Sequence, residues 1–112
     1  MKMFRKLIRD RIPEIIAANG EKAVTHVLDD AEFFQALENK LLEEVQEMRL
    51  GTEKETEIAD IYEVLDALIL AYGFSKEKIF EIQKKKREER GGFEKRIFLE
   101  RTEPNNSTEE KS

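Results

Sequence analysis

Apolar side chains recur at helical spacing through the middle of the chain. Over residues 29–50, and again over residues 52–72, apolar positions return every three or four residues, which places them on one side of an α-helix. Gly51 ends the first of these helices. Thr52 and Glu55 have the spacing of a capping box, so the next helix starts almost at once. The short connection predicts an antiparallel helical hairpin.

Two shorter helices are predicted on either side of this hairpin. A short first helix is expected to begin near Asp10 and to end at Asn19 and Gly20, since Pro13 is tolerated in a first helical turn and glycine commonly terminates a helix. Ser75 caps a fourth helix that runs to about Arg90, where residues 91–92 are both glycine and break it.

Two segments outside the helices have the character of strands. Residues 23–28 are rich in β-formers, and from residue 93 onward apolar side chains alternate with charged ones. We expect residues 23–28 to pair with residues 95–100 in a small two-stranded β element that joins the termini. The predicted fold is therefore mainly α, an antiparallel helical bundle forming one domain over residues 1–102. Residues 103–112 contain no core residues and are expected to be disordered.

Composition excludes several classes of function. With 112 residues the chain can bury one modest core, and without cysteine it has neither disulfides nor thiolate chemistry. The net charge of -5 argues against binding to a nucleic-acid polymer. No apolar run approaches the roughly 20 residues that span a bilayer, and the N-terminus is unlike a signal peptide, so we expect a cytoplasmic protein with no membrane partner.

Three glutamates occur in the stretch LLEEVQEM, and helical geometry separates them. With Leu37 as the origin, Glu44 falls at about -20°, inside the apolar arc, and Glu47 at about -80°, on its edge. Glu43 falls at about 240°, on the opposite face, and is expected to face solvent.

The next helix repeats this arrangement. Glu57 lies within its apolar arc and Asp60 lies one turn further along the edge. In an antiparallel hairpin centred on residue 52, Glu44 then pairs with Asp60, and Glu47 with Glu57. Acid pairs on charged helices usually form solvated faces, but two pairs in register, each with an inward member, favour a site. Such a patch requires cations, and oxygen ligands favour Mg²⁺, with Mn²⁺ as an alternative.

The motifs EVQE at 44–47 and EIAD at 57–60 resemble the paired acidic motifs of the MazG-like all-α nucleoside triphosphate pyrophosphohydrolases. The blocks KLIRDRIPEII at 6–16 and KKREERGGFEKRIFL at 85–99 are similar to the compact branch often labelled phosphoribosyl-ATP pyrophosphohydrolase-like. The resemblance implies Mg²⁺ held by Glu44, Glu47, Glu57 and Asp60. It also implies cleavage between the α and β phosphates of a nucleotide, which yields a monophosphate and pyrophosphate.

The sequence also offers candidate residues for the chemistry. Without cysteine, or a serine or histidine constellation, we expect direct attack by a metal-activated water, with Glu44 and Glu47 as the catalytic residues and Glu47 orienting that water. Candidate phosphate ligands are basic residues at several points of the chain: Lys40, Lys86, Arg90, Lys95 and Arg96, which Lys6, Arg9 and Arg11 could join. Candidates to stack on a base are aromatic: Phe33, Phe34, Tyr62, Phe74 and Phe93.

Three interpretations of the function remain open at this stage. House-cleaning of noncanonical or excess nucleotides comes first, cleavage of phosphoribosyl-ATP in histidine biosynthesis second, and a non-catalytic helical dimerisation module third. The apolar side of the second hairpin helix, including Ala67 and Ala71, needs cover. A homo-oligomer, at least a dimer with its active site near the interface, is the simplest way to complete the core.

Overall fold

The computed structural model describes residues 1–105 and is mainly helical, as predicted. Its helices, in chain order, are α1 (Ile12–Ala18), α2 (Asp30–Leu50), α3 (Lys54–Ala71) and α4 (Lys76–Arg90). The chain divides within α4 into two compact units, residues 1–79 and a second unit that begins at Phe80. None of the helices in residues 1–105 is both long and apolar enough to cross a membrane.

Helix α2 begins at a complete capping box. The Asp29 carboxylate accepts a hydrogen bond from the backbone N–H of Glu32 at 2.9 Å, and the Glu32 carboxylate accepts one from the N–H of Asp29 at 3.3 Å. These two bonds satisfy donors that the first turn of a helix cannot pair internally. The predicted bounds of α2 are confirmed at both ends, because its last residue is Leu50 and Gly51 follows as the C-cap.

The turn between α2 and α3 differs from the prediction. The expected capping box at Thr52 is wrong, because α3 starts at Lys54 and no side chain caps it. The Lys54 ammonium group instead donates hydrogen bonds to the carbonyls of Met48 and Arg49, the second at 3.1 Å. Those carbonyls belong to the last turn of α2, where acceptors lack helical partners. A lysine at the start of α3 thus caps the C-terminal end of α2.

Helices α2 and α3 form an antiparallel hairpin whose far end is held by aromatic rings. Phe34 stacks on Tyr72 with 4.8 Å between ring centroids, and Tyr72 stacks on Phe74 at 5.4 Å. The Tyr72 hydroxyl also donates a hydrogen bond to Glu38 at 3.2 Å. These contacts fix the register of the two helices about five turns away from the connection.

The buried core of the hairpin is small. Among the apolar residues of the described range, Leu37 at 2% exposure and Val64 at 7% are the buried ones. Several apolar residues that the helical pattern predicts to face inward are exposed in the single chain: Ile58 and Leu65 in α3, and Tyr72 at its C-cap. The helical periodicity is therefore correct, but one chain covers only part of the apolar face.

The predicted two-stranded β element is wrong, since residues 1–105 contain no strand. Residues 23–28 and 95–100 are irregular, and Phe93 and Ile97 are 96% and 83% exposed. Alternation produces a strand only when one face is buried, and an isolated two-stranded pairing is marginal in water. Of the tail predicted to be disordered, residues 103–105 are irregular and exposed, whereas residues 106–112 lie outside the described range.

Candidate metal centre

Glu44 is a buried carboxylate in the middle of α2. Only 5% of the residue is exposed, and one of its oxygens, Oε2, has no hydrogen-bond partner. Helical phase puts it there, because Glu44 shares the face of α2 that carries Leu37 and packs on α3. A buried carboxylate oxygen without a partner costs free energy unless a cation or donor reaches it.

Helix α3 brings two further carboxylates to the same place. One oxygen each from Glu44, Glu57 and Asp60 lies within 4.8 Å of the others. Glu57 repeats the feature seen in Glu44, since its Oε2 is also buried without a hydrogen-bond partner. The hairpin register expected from the sequence therefore brings these three side chains together.

A second group on α2 overlaps the first. Glu43, Glu44 and Glu47 also place one oxygen each within 4.8 Å of one another, so Glu44 belongs to both groups. Glu47 is exposed, as expected for a residue at the edge of the apolar arc. Together the two groups contain five carboxylates, four of which are the predicted ligands.

Glu43 is the member of this cluster that the sequence prediction places wrongly. It was expected to face solvent, but its side chain is only 27% exposed. It accepts a hydrogen bond from Lys40 at 2.7 Å, and the Lys6 ammonium lies 3.8 Å from the same oxygen. The helical phase of a residue predicts only whether it faces α3. It does not predict that the N-terminal segment covers α2 at Glu43. The one signal in the sequence is Lys40, three residues before Glu43.

The electrostatics of the cluster oppose a charged Glu44. Burial raises the pKa of the Glu44 carboxyl, and the neighbouring charges of Glu47 and Asp60 raise it further. Lys40, whose ammonium lies 3.4 Å from Glu44 Oε1, lowers that pKa and only partly offsets the rise. Burial lowers the pKa of Lys40, but its contacts with Glu43 and Glu44 outweigh this and raise it. Lys40 therefore stays protonated beside the carboxylates.

Basic residues of the N-terminal segment also reach this cluster. Arg9 donates a hydrogen bond from Nη2 to Asp60 Oδ1 at 2.7 Å across 51 residues of sequence. Arg11, the N-cap residue of α1, pairs instead with Glu14 in the first turn of that helix. The predicted phosphate ligands Lys86, Arg90, Lys95 and Arg96 all belong to the second unit, where they are exposed.

The aromatic candidates for base stacking are distributed over both units. Phe34 and Phe74 stack on Tyr72 as part of the hairpin, and Phe33 is half-buried. Tyr62 is exposed on α3, and Phe93 is exposed in the second unit. Stacking on Tyr72 thus engages two of these rings, although Phe74 is still 58% exposed, and Tyr62 on α3 is 66% exposed.

An open groove of about 460 Å³ borders the carboxylates. Its lining combines three acids with the turn between α2 and α3: Glu43, Gln46, Glu47, Leu50, Gly51 and Glu57. The groove is large enough for a small molecule, since ligand sites typically start at about 300 Å³.

The donor set fits a hard divalent cation. All the ligand atoms are carboxylate oxygens, which Mg²⁺ and Mn²⁺ prefer over nitrogen or sulfur. Opposite oxygens around Mg²⁺ are separated by roughly 4 Å, so groups spread over 4.8 Å need only a small contraction to bind one ion. The unpartnered oxygens of Glu44 and Glu57 are the atoms that such an ion would satisfy.

Comparisons with known proteins leave the family open. No known protein family and no solved structure matches the chain. A protein of Mycolicibacterium smegmatis, described as uncharacterized, is 52% identical over 44 residues, which are 39% of this chain and 45% of that protein. The chain thus matches less than half the length of this relative, and the match carries no function with it.

Proposed function

We propose that this protein is a nucleotide pyrophosphohydrolase of the MazG-like type that depends on a divalent cation, Mg²⁺ or alternatively Mn²⁺. One observation carries the proposal: Glu44 is buried with an unpartnered oxygen and lies beside Glu57 and Asp60 from the facing helix. A protein would not be expected to retain so unfavourable a group unless a bound cation compensates for it. The resemblance of EVQE and EIAD to the acidic motifs of that superfamily supplies the reaction class.

The residues of the hairpin divide the work of such a reaction. Glu44, Glu57 and Asp60 would hold the cation, with Glu47 at the exposed rim as the fourth ligand. A bound Mg²⁺ lowers the pKa of a coordinated water and offsets the negative charge of the phosphates. Lys40 adds a fixed positive charge on the same edge of α2.

The proposed step is hydrolysis of the bond between the α and β phosphates. A water oxygen bonds to the α phosphorus while the bond from that phosphorus to the bridging oxygen breaks. Pyrophosphate then leaves with the bridging oxygen. Glu47 is exposed to the groove and is free to orient the water and accept its proton. House-cleaning of noncanonical or excess nucleotides is the role we favour, with phosphoribosyl-ATP as the competing substrate.

A homodimer belongs to the same proposal. In the single chain Ile58, Tyr62 and Leu65 are exposed along α3, while Leu37 and Val64 are the buried apolar residues of the described range. A core of this size stabilises a domain only weakly, and a second copy packed on α3 would bury the remaining apolar face.

Pyrophosphate release from a panel of nucleotides tests the proposal. The panel contains canonical triphosphates, modified triphosphates and phosphoribosyl-ATP, each with Mg²⁺ or EDTA, and compares the wild type with Glu44→Gln. Glu63→Gln, an exposed glutamate on α3 outside both carboxylate groups, is the matched control.

We expect Mg²⁺-dependent release that Glu44→Gln abolishes and Glu63→Gln retains. A strong preference for phosphoribosyl-ATP would reverse our ranking of substrates. If no nucleotide is cleaved while Mg²⁺ still stabilises the fold, the result favours the alternative of a non-catalytic helical dimerisation module.

A further inference from the structure

A second, smaller cavity lies where the N-terminal segment crosses α2. Its volume is about 130 Å³, and its polar lining consists of Arg5, Lys6, Asn39, Lys40 and Glu43. That volume is about four times the volume that one water molecule occupies in the liquid, so the cavity is large enough for a phosphoryl group. We call it the basic pocket.

The charges of the basic pocket do not cancel. Three of its side chains are cationic and one is anionic. The ammonium groups of Lys6 and Lys40 share the same oxygen of Glu43, at 3.8 and 2.7 Å. Arg5 forms no ion pair within residues 1–105, so its guanidinium is available to a ligand. An excess of cations in a confined space favours an anion, and a guanidinium suits phosphate oxygens in particular.

The backbone of the N-terminal segment is held in an unusual conformation at this pocket. Arg5 has a φ of 58°, in the left-handed region that residues other than glycine seldom adopt. Such a conformation is unfavourable for a residue other than glycine and persists only when surrounding contacts hold it. Here the ion pairs of Lys6 with Glu43 and of Arg9 with Asp60 tie the segment to both helices of the hairpin.

The basic pocket adjoins the carboxylate cluster through a shared residue. Glu43 lines both this pocket and the larger groove, and Lys40 contacts both Glu43 and Glu44. An anion in the pocket would therefore lie one helical turn from Glu44 along α2, on the side away from the turn at Gly51.

We propose that the basic pocket binds the terminal phosphates of the substrate, the part that leaves as pyrophosphate. The identity of this anion rests on the proposed function. The nucleoside then extends the other way, into the groove beside Gln46 and Leu50. Arg5 and Lys6 are binding residues for the phosphate tail and take no part in holding the metal ion.

Calorimetric titration of the full chain with inorganic pyrophosphate in the presence of Mg²⁺ tests this inference. The double substitution Arg5→Gln with Lys6→Gln should weaken pyrophosphate binding by about tenfold for each charge removed, or about 1.4 kcal/mol each. Lys22→Gln, an exposed lysine that does not line the pocket, is the matched control and should leave the affinity unchanged. Arg5→Lys with Lys6→Arg retains both charges and should keep most of the affinity.

A titration with Mn²⁺ alone separates this inference from the proposed function. The double glutamine variant should bind Mn²⁺ as the wild type does, so loss of pyrophosphate affinity with intact Mn²⁺ binding supports the pocket. Pyrophosphate binding that depends on Arg5 and Lys6 supports it even if no nucleotide is cleaved, an outcome that would refute only the proposed function. Equal pyrophosphate affinity in the wild type and the double glutamine variant would overturn the inference.

Discussion

The hairpin of α2 and α3 and the second unit are both rich in charge, but they place it differently. In the hairpin, Glu44 is buried with an unpartnered oxygen beside the carboxylates of α3. In the second unit every described residue is exposed, and charges pair locally, as Arg87 does with Glu94 at 2.6 Å. Exposed ion pairs contribute little free energy, whereas a buried unpaired carboxylate is costly. A buried carboxylate with an unpartnered oxygen therefore indicates a candidate cation site, whereas a high density of exposed charges does not.

The largest expected difference between the two regions is catalytic. If the proposed function holds, Glu57→Gln should lower Mg²⁺-dependent pyrophosphate release by about 10³-fold, because it would remove a charged ligand from the proposed cation site. Glu88→Gln makes the same chemical change on α4 and should leave the rate within about twofold. Steady-state rates on the best nucleotide of the panel measure both. Similar losses in the two variants would mean that burial does not distinguish a functional carboxylate here.

The next largest difference concerns stability. Leu37→Ala should destabilise the fold by about 3 kcal/mol, because it leaves a cavity at a residue that is 2% exposed. Ile82→Ala, in the exposed second unit, should cost less than about 0.5 kcal/mol. Chemical denaturation followed by circular dichroism gives both values. A cost for Ile82→Ala equal to that for Leu37→Ala would show that the second unit has a core of its own.

Replacement of one positively charged side chain in each region tests the same comparison. Lys40→Met should lower the free energy of unfolding by about 2 kcal/mol in EDTA, since it leaves the buried Glu44 without its ion-pair partner and Glu43 with Lys6 alone. Arg87→Met breaks an exposed pair and should cost no more than about 0.5 kcal/mol. Added Mg²⁺ should recover part of the stability lost in Lys40→Met. A deficit that Mg²⁺ leaves unchanged would argue against a cation among these carboxylates.

The smallest expected effect is a gain of stability. Glu44→Gln should raise the Tm by a few degrees near neutral pH in EDTA, because it removes a buried charge. Burial raises the pKa of Glu44 in the folded state, so its ionised form destabilises the fold at neutral pH, and this penalty disappears as the pH falls below the ordinary value of 4.5. The gain in Tm should therefore shrink as the pH is lowered, and thermal melts between neutral pH and pH values below 4.5 measure it. A gain that is constant with pH, or a loss at neutral pH, contradicts this assignment.

The hairpin could be predicted from the sequence because one rule governs it. Helical periodicity gives both the bounds of α2 and the inward direction of Glu44, and the short turn brings Glu57 and Asp60 opposite. The same rule fails for Glu43, because a segment far away in the sequence covers it through Lys6. Local periodicity carries no information about such contacts.

The prediction of a β element was wrong because alternation is a weaker signal than helical periodicity. Alternation over residues 95–100 resembles a strand, but Ile97 and Phe98 are both exposed, and Arg96 has a φ of 58° that interrupts an extended backbone. A strand depends on a partner and a buried face, neither of which a short alternating pattern supplies. The predicted cap at Thr52 is also wrong, because α3 begins at Lys54 without a side-chain cap. The Lys54 ammonium group instead donates a hydrogen bond to the Arg49 carbonyl at the end of α2.

Calorimetric titration with Mn²⁺ tests the central claim most directly, that the carboxylates of α2 and α3 form a cation site. We predict that the wild type and Glu88→Gln bind Mn²⁺ equally, and that Glu44→Gln binds it about 100-fold more weakly because the buried ligand has lost its charge. Equal Mn²⁺ affinity in the wild type and Glu44→Gln, or no binding to the wild type, would contradict the account.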